Sequence, residues 1–164
     1  MPRKPKLESS EESVVGAGGN WPRQNESNNP AVVKQVNDFS CVAAAGEMLT
    51  RHYGIGISQD EIRKGIGDLA NSRRLILFLN ERMPNEPPWR GGIIGAVEDE
   101  VRALFETKKP FLAILREGKP LGHAVVVNEM TSDEIVQIDD PFDQTSYNMR
   151  FVDFIKVFSE VVLR

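Results

Sequence analysis

The chain has 164 residues, a hydrophobic share of 40% and a formal net charge of −4. That suffices for one domain with its own core, and the acidic balance argues against a nucleic-acid binder that works through overall positive charge. The single cysteine excludes an internal disulfide, and no apolar run reaches the length of a membrane span.

Residues 1–30 are rich in Ser, Glu, Asn, Gly and Pro and carry few large apolar groups. Burial there cannot offset the entropy of ordering, so the stretch reads as a flexible tail or linker, with the folded domain over 31–164. Its basic start is followed by no apolar core and does not read as a secretory signal. One part, "GNWPRQNESNNP", offers Trp21 as an anchor if it lies over the domain.

The stretch "SCVAAAGEMLTRHYG" (40–54) reads as a helix ended by Gly54, which suits a left-handed cap. Val42, Ala45, Met48 and Leu49 recur at helical spacing and form its buried stripe. The small residues Ala43, Ala44 and Gly46 admit a close neighbour. "SQDE" (58–61) has capping-box spacing and opens a second helix. A third covers "SRRLILFLNERM" (72–83), stopped by Pro84. "MPNEPPWRGG" (83–92) is a loop, and "IIGAVEDEVRALFETK" (93–108) a fourth helix with Ile93, Val97, Val101 and Leu104 on one side.

The pattern then changes. "PFLAILRE" (110–117), "HAVVVNEM" (123–130) and "EIVQID" (134–139) are short β-branched runs that read as successive antiparallel strands. "FVDFIKVF" (151–158) reads as a last helix and "EVVLR" (160–164) as a closing strand. Helices before strands indicate an α+β domain whose two parts pack together.

Cys41 stands at the mouth of the first helix. A lone cysteine is most often a buried, inert thiol. In a first helical turn, however, the positive end of the helix dipole favours thiolate, the nucleophilic form. Such a nucleophile needs a proton acceptor and a group that orients it. His52 lies eleven residues further along the same helix and cannot reach the thiol. His123 opens a strand after Gly122, a residue that allows another element to approach closely. If the next turn centres between Thr131 and Ser132, His123 faces Asp140, and cross-strand neighbours have Cβ atoms about 4.5–5.5 Å apart. Alternation places Asp140 on the face of Val136 and Ile138, whereas a one-residue slip would substitute Asp139.

Gln35, six residues before Cys41, has an amide that can donate to an oxyanion together with the Cys41 backbone N–H. Asn37 and Asp38 either shape one wall of a substrate groove or simply form a turn. Trp89 either lines that groove or plugs the core. A metal reading is poor, because Cys41, His52 and His123 fall short of a four-ligand zinc set.

The order Gln, then Cys at a helix start, then Gly-His opening a strand, then Asp-Pro resembles the papain-like cysteine peptidase fold. Within it, the bacteriocin-leader peptidases are similar in taking the Asp of an Asp-Pro pair as third member. The best match is to the papain-fold toxin domains of bacterial polymorphic toxins. "VKQVNDFSCVAAAGEMLTRHYGI", "GHAVVV", "IDDPFD" and "SYNMRFVDFIKVFSEVV" carry the resemblance, which covers about residues 32–163.

The resemblance implies a helical half, with the nucleophile at a helix start, packed on a C-terminal antiparallel sheet. It implies Cys41 as nucleophile, His123 as general base and acid, Asp140 as orienter and Gln35 as oxyanion donor. The implied activity is a cysteine protease or glutamine deamidase acting on a protein or peptide, without a cofactor. The toxin likeness further implies export within a larger effector system, action in a target-cell cytoplasm and a cognate immunity protein. "DFSC" departs from the Gly- and Trp-rich surroundings of the plant enzymes' cysteine, so their subsites do not carry over. A leader-peptide-processing peptidase and a catalytically inactive papain-fold binding module are the alternatives.

Overall fold

The structure, a computed structural model, describes residues 19–95, 97–117 and 122–164. In chain order these form β1 (Gln24–Asn28), α1 (Cys41–His52), α2 (Gln59–Ile66), α3 (Ser72–Arg82), β2 (Arg90–Ile93), α4 (Glu98–Glu106), β3 (Phe111–Leu115), β4 (His123–Met130), β5 (Ile135–Asp140), β6 (Thr145–Arg150), α5 (Phe151–Val157) and β7 (Phe158–Leu163). The strands make one sheet in the order β1-β6-β5-β4-β3-β7-β2, antiparallel throughout. The expected α+β class is therefore what forms, with the helical half on a largely C-terminal sheet.

The uninterrupted apolar runs of β3 and β4 follow from a sheet covered on both faces. Leu112, Ile114, Ala124 and Val126 meet α1, α2 and α3 through Val42, Ala45, Leu49, Ile62, Leu75 and Leu79. The alternate residues Phe111, Ala113, Leu115, Val125 and Val127 meet Phe105 of α4, Phe151 and Phe154 of α5, and Trp21. Gly46 serves the role its size allows. A Cβ there would sit 3.1 Å from Ile62 Cδ1 and 3.2 Å from Leu75 Cδ1, so α2 and α3 close onto α1 across it. Gly54 ends the first helix with φ +76°, and Ser58 caps α2 by accepting from Glu61 N at 3.1 Å.

Three expectations are corrected, and one element is new. Residues 19–30 do not behave as a tail, because β1 pairs with β6 and Trp21 is buried; residues 1–18 lie outside the described ones. The fourth helix begins only at Glu98, since Arg90–Ile93 instead pairs with β7 as an edge strand. Ile93, expected on the buried side, is 88% exposed there, while Phe105 joins Val101 in the core. Finally, "TSYNMR" is a sixth strand, which the polar alternation did not announce. No helix among the described residues is long and apolar enough to cross a membrane.

The start of α3 is tied to the sheet by a buried carboxylate. Glu160 of β7 accepts from the Ser72 N–H at 3.2 Å and from its hydroxyl, and it pairs with Arg116. Burial pushes the Glu160 carboxyl up, but the Ser72 hydrogen bonds and Arg116 outweigh it, so it titrates below its usual 4.5. Its contribution is present above that value and is lost as the pH falls through the lowered one. Glu160→Gln should cost about 1–3 kcal/mol in urea unfolding at pH 7, with a smaller difference from wild type in acid; an equal loss at both pH values would contradict this account.

Candidate active site

The site assembles where the N-terminus of α1 meets the open end of β4. Cys41 is the first residue of α1, and its sulfur accepts the Ala124 N–H at 3.4 Å. The cap residue, Ser40, leaves the helix end without a side-chain cap. Its hydroxyl turns back into the preceding loop and accepts from Val36 N at 3.1 Å and Asn37 N at 3.2 Å. The backbone donors of the first turn thus lie beside the thiol, in the arrangement that favours an anion. Gly122 makes room at the other side. A Cβ on it would fall 2.6 Å from Ile114 Cγ2, so β4 can enter against β3 only without one.

His123 and Asp140 meet with Nε2 and Oδ1 2.6 Å apart, both buried. Their strands achieve this by a register other than the one expected. Val127 faces Ile138 and Val126 faces Asp139, with an irregularity before the Glu129–Gln137 pair. Continuing by one residue sets Asp140 level with Val125, so His123 is its diagonal neighbour rather than its opposite. A shift of two residues preserves the face. Asp140 therefore does point with Val136 and Ile138. Asp139 lies on the other face, where it accepts from Asn128 Nδ2 at 2.9 Å and Ser146 Oγ at 2.7 Å.

Asp140 has further partners. Oδ1 also accepts the Phe142 N–H at 2.9 Å, and Oδ2 accepts the Tyr147 hydroxyl at 2.8 Å. Burial works against charge on His123. The Asp140 charge and hydrogen bond, then the Cys41 sulfur, outweigh it and raise the imidazole from 6.5 to about 9. With Nε2 engaged by Asp140, Nδ1 is the ring nitrogen left for the thiol; it is buried and has no hydrogen-bond partner among the described residues. The ring stacks on Trp21 (centroids 5.9 Å apart, planes at 21°) and meets the edge of Phe142.

Gln35 is buried beside this pair. Its backbone N–H donates to the Pro141 carbonyl at 2.9 Å, and its amide nitrogen donates to Asn37 O at 2.7 Å. Asn37 and Asp38 are exposed on the loop before α1, and Asn37 Oδ1 closes a turn on the Phe39 N–H at 2.8 Å. Two residues lie elsewhere. Trp89, expected at the groove or in the core, is in the core, exchanging bonds of 2.7 and 2.9 Å with Asn80 and packing edge-on to Tyr53. His52 is exposed at the far end of α1. Among the described residues no three His, Cys, Asp or Glu side chains gather as metal ligands would. Sequence reasoning assigned no role to Tyr147 or Phe142; only their position after "DDP" connected them to the site.

The arrangement offers a buried thiol, an imidazole between thiol and carboxylate, and backbone donors at a helix start. In NMR titration of the whole chain, the His123 ring should change charge near pH 9. Asp140→Asn should bring that midpoint down. Because the folded value exceeds the unfolded one, the pair's stabilisation is complete below pH 6.5 and is lost as the pH rises through about 9. A wild-type midpoint near 6.5 would refute the pairing.

No protein-family model matches the chain. A curated relative, "Cysteine protease effector 1" of Escherichia coli O1:K1:H7, is 28% identical over 144 residues, covering 88% of this chain and 28% of that protein. The chain thus spans little more than a quarter of that relative's length. Among solved structures, the peptidase domain of Streptococcus ComA, a bifunctional ABC transporter involved in quorum sensing, superposes with a TM-score of 0.64. The match covers 80% of this chain and 94% of that domain at 19% identity. The fold is accordingly the papain-like cysteine peptidase fold.

Proposed function

We propose that this domain is a cysteine protease acting on a protein substrate as an effector or toxin module, with Cys41, His123 and Asp140 as its catalytic triad. What carries the reading is the buried His123–Asp140 pair, with Nε2 and Oδ1 2.6 Å apart, beside a buried Cys41 whose sulfur accepts the N–H of Ala124, the residue next to His123. The likeness to a relative named as a cysteine protease effector supports it. The catalytic domain comprises residues 31–164 together with the packed stretch 19–30.

In this mechanism the Cys41 sulfur, as thiolate, attacks the scissile carbonyl carbon. A C–S bond forms as the carbonyl π electrons move onto oxygen. Gln35 Nε2 and the Cys41 backbone N–H receive that oxyanion. His123 gives its Nδ1 proton to the leaving nitrogen as the C–N bond breaks. Water, deprotonated by the same nitrogen, then attacks the thioester and releases Cys41. Asp140 keeps the ring oriented and stabilises its positive charge. Directed at a glutamine side chain, the same steps release ammonia, which is the deamidase variant of the reading. Asn37 and Asp38, exposed before the nucleophile, form one wall of the groove. The module is delivered into a target-cell cytoplasm and is neutralised by a cognate immunity protein. The runner-up, a processing peptidase for exported leader peptides, shares the fold and would cut after a Gly-Gly pair.

The test expresses wild type, Cys41→Ala and His123→Ala in bacterial cytosol. Toxicity and labelling by a thiol-reactive acyl probe should be confined to wild type, with turnover by either variant lower by about 10³-fold or more. New protein termini would identify proteolysis, and one-dalton gains at glutamine deamidation. Equal toxicity of wild type and Cys41→Ala would remove the enzymatic reading and favour a binding module.

A further inference from the structure

His123, Asp140 and Tyr147 form a diagonal stripe across β4, β5 and β6. Tyr147 faces Ile138 and Asp140 faces Thr145, so the phenol reaches the carboxylate along the diagonal of one sheet face. The stripe continues beyond the sheet. Trp21, just before β1, donates its indole N–H to the Tyr147 oxygen at 2.9 Å. The same indole lies flat against the His123 ring. The Arg23 guanidinium covers both aromatic rings, 5.8 Å from the Trp21 centroid and 5.1 Å from that of Tyr147.

Hydrogen-bond polarity follows from chemistry. An indole N–H donates and never accepts. The Tyr147 oxygen must therefore accept from Trp21, which commits its single hydrogen to Asp140 Oδ2. Asp140 accepts on that oxygen, and on the other it accepts from Phe142 N. An ionised Asp140 can only accept, so His123 carries hydrogen on Nε2 whichever way the phenol points, and Nδ1 is the nitrogen left to face the thiol. Trp21 thus directs the Tyr147 hydrogen, and a residue of the segment that leads into β1 thereby secures a donor for the carboxylate.

We propose that Tyr147 and Trp21 are positioning residues for the Asp140–His123 pair, so that the segment before β1 belongs to the catalytic apparatus rather than to a tail. The catalytic consequence rests on the function proposed above; the effect on the imidazole does not. Core filling and positioning differ in what they do to His123. Filling affects stability alone, whereas positioning affects the ring's proton.

The experiment uses the full chain as wild type, Tyr147→Phe and Trp21→Phe; each replacement keeps a ring and removes one donor. His123 is titrated by ¹⁵N and ¹³C NMR, with exposed His52 as reference in the same spectrum. Urea unfolding gives stability, and the rate of nitrophenolate release from p-nitrophenyl acetate gives Cys41 acylation. Tyr147→Phe withdraws a donor from Asp140 and leaves its charge concentrated on the His123 side, so it should raise the His123 midpoint above about 9 and, by loosening the carboxylate, slow acylation about tenfold or more. Trp21→Phe should move both in the same direction by less. Unchanged titration in both variants, whatever the loss of stability, would overturn the proposal, as would a midpoint that falls. Should Tyr147→Phe fail to fold, Trp21→Phe decides by the same readouts. Absence of any Cys41-dependent activity in wild type would sink the proposed function and leave the titration to judge this one.

Discussion

The fully buried Asp140 carboxylate is the constraint around which this structure is organised. A charge so deep is tolerated only with partners that replace water, because desolvation costs several kcal/mol for an unpaired ion. Asp140 finds them in His123, the Phe142 backbone and the Tyr147 hydroxyl. Each comes from a different place in the fold, so the register of β4, β5 and β6 and the turn after Asp140 must all be right at once. Polar satisfaction here selects one sheet geometry among those the apolar pattern would accept.

Much of this was legible in the residues themselves. The helical spacing around Leu49, the stop at Gly54 and the β-branched runs of β3 and β4 announce their elements, because each matches the period of its structure. The carboxylate's face was legible too, since alternation survives an even shift of register. The pairing itself was not. Glu134 takes φ +61° in the turn and β4 carries an irregularity near Asn128, neither of which a polar "TSDE" advertises. β1 was invisible because Gln24–Asn28 is polar throughout and exposed along its length. It is held as an edge by backbone bonding, which leaves no hydrophobic pattern. β2 hid for a related reason, as two glycines at positive φ and an exposed Ile93 break any alternation.

Of the site, Cys41 and His123 could be singled out from position, while Gln35 acquired meaning only by family resemblance. Its neighbourhood shows why. Gln35 is brought to the Asp140–Pro141 turn by its backbone N–H, a contact between residues more than a hundred positions apart. Ser40 illustrates a different trade. A hydroxyl at a helix start ordinarily caps it, contributing about 1 kcal/mol. Here it braces the preceding loop instead, leaving the helix end uncovered beside the thiol. Local stability is given up at the helix end beside the thiol, the kind of departure from helix rules expected at sites of chemistry.

The division of reactive groups between α1 on one side and the sheet on the other has a consequence for the chain's history. While unfolded, the polypeptide carries an ordinary thiol and an ordinary imidazole with no means of sensing each other. Neither the helix alone nor the hairpin alone holds a relay. The Cys41 sulfur and the His123 strand therefore come together only when α1 docks onto β4 and the Ala124 amide meets the sulfur. A chain still short of its tertiary structure holds these groups apart, so their arrangement is a product of the finished fold and not of any one element.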